Sequence, residues 1–83
     1  MRWPIPSTTI RFELPQLVDV RLDVYDLLGQ KVRTLVAGER SAGGHEAVWD
    51  GRDGSGQLVG NGVYFYRLRA GDYVQMRRMM LFK

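Results

Sequence analysis

The 83-residue chain contains no cysteine and one histidine, His45. The missing cysteines exclude disulfide staples and thiolate metal sites, and leave no mark of the redox compartment. A Ser-His-Asp arrangement would depend on His45, with Ser7, Ser41 or Ser55 as nucleophile, and no nucleophile-elbow pattern surrounds any of these serines. Asp50 and Asp53 fall in a glycine-rich turn, where capping of the local backbone accounts for them better than acid–base chemistry does. Catalysis is therefore not expected. No apolar run approaches the roughly 20 residues of a membrane helix, so membrane insertion is not expected. Met1-Arg2-Trp3-Pro4-Ile5-Pro6 lacks the apolar core of a signal peptide. Such a chain either stays where it is made or forms part of a longer exported protein, and the second is the expectation here.

Acidic residues are scarce only toward the end. Before position 60 seven basic residues face eight acidic ones, whereas from 60 onward Arg67, Arg69, Arg77, Arg78 and Lys83 face only Asp72. Such asymmetry suits either an acidic partner or a solvated strand face, and the second is the simpler reading. The length fits one domain, which buries only about 60–65% of the surface its unfolded chain exposes. Hydrophobic content of 45% is that of a globular protein.

The chain is organised around Trp49 to Leu68. Three turn dipeptides, Asp50-Gly51, Asp53-Gly54 and Asn61-Gly62, lie between two aromatic runs. After them Val63 to Ala70 alternates, with Tyr64, Tyr66 and Leu68 on one face and Val63, Phe65, Arg67 and Arg69 on the other. This predicts a central strand. Pro4 and Pro6 hold residues 1–6 as an extended lead-in, and residues 7–83 then form the domain. Thr8–Leu14 and Val18–Tyr25 alternate cleanly, the second with Val18, Val20, Leu22 and Val24 inward and Asp19, Arg21 and Asp23 outward. The short Pro15-Gln16-Leu17 link makes these strands neighbours or sends the chain from one sheet to the other.

Asp26-Leu27-Leu28-Gly29 predicts a turn with Gly29 at positive φ, with a short helical turn as the alternative. A third strand over Gln30–Val36 is expected to bulge, because Val32 and Leu35 break the alternation. Ala37–Gly44 reads as a loop, His45–Asp50 as a fourth strand, and Leu58-Val59 as a short edge piece. Gly71-Asp72 turns the chain into a last strand over Tyr73–Phe82, where Met79-Met80-Leu81-Phe82 does not visibly alternate, so that either both faces are covered there or a bulge near Arg77 and Arg78 shifts the register. No internal repeat is apparent. Six to seven short strands with regular turn signals and no helix predict an all-β fold, a small antiparallel β-sandwich of Ig-like or fibronectin III-like type.

Neither calcium nor phosphate binding is expected of the glycine turn, so no cofactor or metal is assigned. The one-three-five oxygen spacing and distal glutamate of a calcium loop are missing, as are a P-loop lysine and its helix. Nucleic acid is not expected either, since Tyr64 and Tyr66 point away from Arg67 and Arg69 on the same strand.

Six segments in order carry a family likeness: Pro6–Phe12, Val24–Gly29, Val32–Val36, Trp49–Asp53, Gly62–Leu68 and the closing basic-apolar strand to Lys83. Together they resemble the C-terminal sorting domains of the type IX secretion system and the related Ig-like domain of the flagellar hook-capping protein. The sorting resemblance implies a non-catalytic address on a cargo domain lying upstream. Its partners would be the outer-membrane translocon and a surface processing protease, and its destination the cell surface by way of the periplasm. The family's Gly-x-Tyr element falls on Gly62 and Tyr64, within a structural motif of Trp49, Asp50, Gly51, Gly62, Tyr64 and Tyr66. Its basic end falls on Arg77, Arg78 and Lys83, the implied recognition residues. Arg2-Trp3-Pro4-Ile5-Pro6 keeps only the last proline of the family's usual opening segment. The alternative is a structural Ig-like module of a hook cap or surface adhesin. The uncharged run at Met79–Phe82 beside an open sheet edge adds the expectation of a homodimer through that edge.

Overall fold

In the computed structural model, which describes residues 7–82, the alternating stretches become six antiparallel strands. They are β1 (Thr8–Leu14), β2 (Val18–Tyr25), β3 (Lys31–Arg40), β4 (Gly43–Trp49), β5 (Gly62–Ala70) and β6 (Tyr73–Leu81). One sheet pairs β1 with β4, and the other runs β3-β2-β5-β6. This is the all-β sandwich the sequence predicts, with β5 held between β2 and β6. The lead-in of residues 1–6 lies outside the described residues.

The short Pro15–Leu17 link carries the chain between sheets, so β1 and β2 face each other across the core. Ile10 and Leu14 from β1 and Ala47 and Trp49 from β4 meet Val20, Leu22 and Val24 from β2 and Tyr64 and Leu68 from β5. Val36, Met79 and Leu81 complete the cluster from the outer strands of the larger sheet. Burying such side chains is the main force holding so small a sandwich together, at roughly 1.5–3 kcal/mol for each fully buried one. Trp49 is 0% exposed.

Glycine sets the turns. Gly29 ends the Asp26 turn at φ 79°, and Gly71 sits at φ 58° as the first residue of the two-residue hairpin between β5 and β6. A positive φ at that first position is what a type II′ hairpin needs. Gly71 has a second constraint, since a Cβ there would come within 3.0 Å of Val18 Cγ2.

Several expectations need correction. Ala37–Gly44 is not a loop: β3 continues to Arg40 and β4 begins at Gly43. Residues Ala37 to Arg40 pair with Arg21 to Val18, so the β2 ladder overrides the weak strand propensity of a small, polar stretch. The end of the chain does alternate. Every residue of β6 is paired with β5 without a register shift, and Met79 and Leu81 are buried while Met80 and Phe82 are exposed. No bulge at Arg77 or Arg78 is needed.

The bulges lie in β3, where the broken alternation placed them. The β2–β3 register shifts between Leu22 and Asp23 and again between Val24 and Tyr25, leaving Leu35 and Val32 as the extra residues. In the glycine-rich turn Gly51 (75°) and Gly56 (91°) take positive φ, whereas Gly54 does not.

A short structural repeat also emerges. In Asp26–Gln30 and again in Asp53–Gln57, the aspartate N–H donates to the carbonyl four residues on, and the glycine three residues on donates back to the aspartate carbonyl. In both, the aspartate side chain accepts from the backbone N–H groups two and four residues ahead. The shared pattern Asp-x-x-Gly-Gln is too short to stand out in sequence, but it builds the same turn twice.

Candidate functional site

The aromatic corner is built from residues that the turns bring together. Trp49 ends β4 and donates from Nε1 to the Arg52 carbonyl at 2.9 Å. Its ring meets Tyr64 edge to face, with centroids 5.0 Å apart, across the two sheets. Tyr64 Oη donates to the Gly60 carbonyl at 2.7 Å, and burial, helped by the charge of Asp26, pushes its phenol above the usual range. Asp50 accepts from Arg33 Nη1 at 2.9 Å and from the Arg52 N–H at 3.1 Å. Gly51 is buried at φ 75°, and its carbonyl accepts from Val59. Gly62 opens β5 at φ 145°, a conformation that favours glycine. Tyr66 packs against the core from one strand position further on. The structure therefore gathers Trp49, Asp50, Gly51 and Tyr64 in one bonded corner, with Gly62 and Tyr66 beside it on β5.

No reactive constellation is present among the described residues. His45 stacks on Phe12 at 5.4 Å and its Nε2 donates to the Ser41 carbonyl at 2.8 Å. The Asp53 carboxylate accepts from the Ser55 hydroxyl and from the Ser55 and Gln57 N–H groups, which hold it below the ordinary carboxylate range. Among the described residues no group of three or more His, Cys, Asp or Glu gathers where a metal could sit.

What remains available is the outer face of the four-stranded sheet. Paired residues share a face, so Tyr25, Phe65 and Arg78 lie in one row across it, followed by Asp23, Arg67 and Met76, then Arg21, Arg69 and Val74. Val63 and Met80 form a further row beyond Phe65. One half of the face is charged. Arg21, Lys31, Arg67 and Arg69 ring Asp23 in a hollow of about 280 Å³. The other half is mostly apolar around Arg78, with Val74, Met76 and Met80 exposed, and with Tyr25, Leu27, Phe65 and Met76 lining a shallow hollow of about 270 Å³ that Asp26 and Arg67 also border.

Asp23 departs from the expected outward, solvated position. It does point to the outer face, yet it is only 4% exposed. Thr34 Oγ1 donates to it at 2.6 Å and Arg21 Nε at 2.8 Å. Burial alone would raise its pKa, but these hydrogen bonds and the charges of Arg21 and Lys31 prevail and hold the carboxyl below its ordinary value. Arg21 is in turn raised by its bond to Asp23. Lys31, Arg67 and Arg69 make no ion pair among the described residues.

The basic recognition group divides. Arg78 shares the outer face with Phe65, whereas Arg77 lies opposite Tyr66 on the other side of the same strand. Two successive residues of a strand cannot form one patch on one face. Lys83 lies outside the described residues. The apolar row of Phe65, Met76 and Met80 was missed as a site. Its only trace in sequence is the two-residue spacing of Val74, Met76, Arg78 and Met80, hidden by Met79 and Leu81 between them.

Comparison with known proteins places this architecture. Residues 6–72 match the family described as the FlgD Ig-like domain. The chain is 39% identical over 67 residues to the basal-body rod modification protein FlgD of Salmonella typhimurium, and equally to that of Salmonella typhi. Each alignment covers 80% of this chain and 29% of the relative, so the chain spans less than a third of the length of these relatives. A crystal structure of FlgD from P. aeruginosa superposes with a TM-score of 0.69 at 25% identity, covering 90% of this chain and 59% of that one.

These findings overturn the sorting reading. The type IX address, the translocon and surface protease as partners, and delivery of a type IX cargo to the cell surface all give way to a flagellar relationship. The expectation that the chain is not an enzyme stands on its match to the FlgD Ig-like domain family. The chain belongs to the FlgD Ig-like domain family.

Proposed function

We propose that this chain acts as a structural, protein-binding Ig-like module in flagellar rod and hook assembly. The family match over residues 6–72 is the observation that carries the reading. The character of the surface supports it. The polar groups of Trp49, Asp50 and Tyr64 in the corner are engaged internally, while the outer face of the β3-β2-β5-β6 sheet offers arginines without an ion pair among the described residues beside exposed methionines. Apolar area next to unneutralised arginine suits contact with another protein surface better than it suits chemistry. The module would hold its place by shape and burial, and the turns at Asp26 and Asp53 would keep the sandwich rigid beneath the contact.

A graft tests this. The aligned 67 residues of the Salmonella typhimurium protein are replaced by the matching residues of this chain, in cells lacking their own copy. Hooks counted by electron microscopy, and swimming in soft agar, should return well above the level given by a version with the segment deleted. A stable, folded graft that forms no more hooks than the deletion would contradict the reading.

A further inference from the structure

Among the described residues four strands keep a free edge: β1, β4, β3 and β6. The edge of β3 is broken by its two bulges, and unpaired ladder groups there do not run in register. β1 and β4 are seven residues each and are tied across their exposed face by the Arg11–Glu46 ion pair at 3.3 Å. β6 differs from all three. It is nine residues long, regular throughout its pairing with β5, and contains neither proline nor lysine to blunt its edge.

The two-stranded sheet also stops short of it. Between β1 and β6 lies a groove of about 540 Å³, lined by Phe12, Leu14, Val18, Leu68 and Ala70 with Tyr73 of β6 at its margin. Near the middle of β6 stand Arg77 and Arg78, one on each face, with no carboxylate paired to either among the described residues. With the Gln75 amide oxygen turned toward it, Arg77 donates to that oxygen from Nε and Nη2 at 2.9 Å, which leaves its charge unneutralised.

A second copy of the chain does not fit this edge well. Full antiparallel overlap of Tyr73–Leu81 with itself centres on Arg77, so Arg77 would oppose Arg77 and Arg78 would flank the same point on both strands. Like charges directly opposite destabilise a ladder. The edge-strand homodimer suggested by the apolar run at Met79–Phe82 is thus disfavoured by the register.

We propose that β6 accepts an extended acidic segment of another protein as an added strand of the sheet. The register specifies its chemistry. Two successive acidic residues would stand opposite Arg77 and Arg78, one on each face. On the outer side, apolar residues would meet Met76 and Met80, and on the inner side an apolar residue near Tyr73 would enter the groove. Main-chain hydrogen bonds to the free edge supply affinity, and the acid pair fixes register and excludes basic strands. This inference rests on the edge itself and does not depend on the flagellar reading.

The test uses two synthetic peptides matched in length to β6, of alternating valine and threonine around a central Glu-Glu or Lys-Lys pair. Backbone amide shifts and hydrogen exchange are followed by NMR for the chain and for Arg77→Glu/Arg78→Glu. The Glu-Glu peptide should move and protect amides of Tyr73–Leu81, and bind the unaltered chain about tenfold more tightly than the Lys-Lys peptide does. The reversed variant should invert that preference, and Arg77→Gln/Arg78→Gln should abolish it while retaining the fold. Equal binding of both peptides, binding of neither up to millimolar concentration, or shifts confined to β1 and β4 would overturn the proposal. So would a wild-type dimer formed through β6.

Discussion

Asp23 shows how a single side chain on a solvent-facing strand surface becomes part of the structure. Its carboxylate is taken out of water by the neighbouring strands, and it survives there because Thr34 and Arg21 donate to it. Asp23→Ala would leave the Thr34 hydroxyl and the Arg21 guanidinium without that partner and should cost about 1–2 kcal/mol in chemical denaturation. The pH dependence follows from its sign. The folded pKa of Asp23 is depressed, and so is that of Asp53. Their contributions are therefore present above the unfolded carboxylate value of about 4, and are lost as pH falls through the lower folded values. Tyr64 is raised instead, so its contribution is present below about pH 10 and is lost as pH rises through the folded value. Thermal midpoints measured across pH should form a plateau near neutrality and fall at both ends. Asp23→Asn should soften the acid limb, and an unchanged acid limb would mean that the buried carboxylate is not coupled to folding.

At the level of elements, the two Asp-x-x-Gly-Gln turns do the work that longer loops would need side-chain packing to do. Asp26→Ala removes the acceptor for the Leu28 and Gln30 N–H groups, and Asp53→Ala removes the acceptor for the Ser55 and Gln57 N–H groups. Asp26→Ala should lower stability by about 1 kcal/mol, Asp53→Ala should lower it as well, and the double variant should show close to the sum of the two losses. Equal stability of all three variants with the parent would show that glycine alone sets these turns. Gly62→Val probes a different cause. At φ 145° nothing lies within 4 Å of the position a Cβ would take, so the expected loss of about 1–2 kcal/mol comes from backbone strain and not from a clash.

Strand existence was legible for a plain reason: Val18–Tyr25 and Val63–Ala70 alternate in step with burial. The bulges at Val32 and Leu35 were legible for the same reason, as interruptions of that step. The extension of β3 through Ala37–Arg40 was not, because there the ladder with β2 decides and local propensity does not. Nor was the burial of Asp23, which depends on neighbours brought in from β3 and β5. The two central arginines were visible in sequence, and as successive strand residues they must take opposite faces, but which face each takes is fixed only by the register with β5.

For the whole molecule, the sandwich is lopsided. Two strands cover one side of the core and four the other, so the larger sheet presents a broad outer face and one unblunted edge. The chain belongs to the FlgD Ig-like domain family, and the proposed function assigns its contact with a neighbouring protein to that broad face. Arg11 and Glu46 on the smaller sheet pair with each other. The central claim is that function resides on the outer face of the larger sheet, and face mapping in the grafted Salmonella protein tests it most directly. Phe65→Glu/Met76→Glu alters exposed or half-buried positions of that face, and Arg11→Ala/Glu46→Ala alters the other sheet. Both should leave a folded protein by circular dichroism. The account predicts that hook counts fall to the level of the segment deletion in the first variant and stay at the level of the intact graft in the second. Normal hooks from the Phe65→Glu/Met76→Glu graft, or their loss from the Arg11→Ala/Glu46→Ala graft alone, would contradict it.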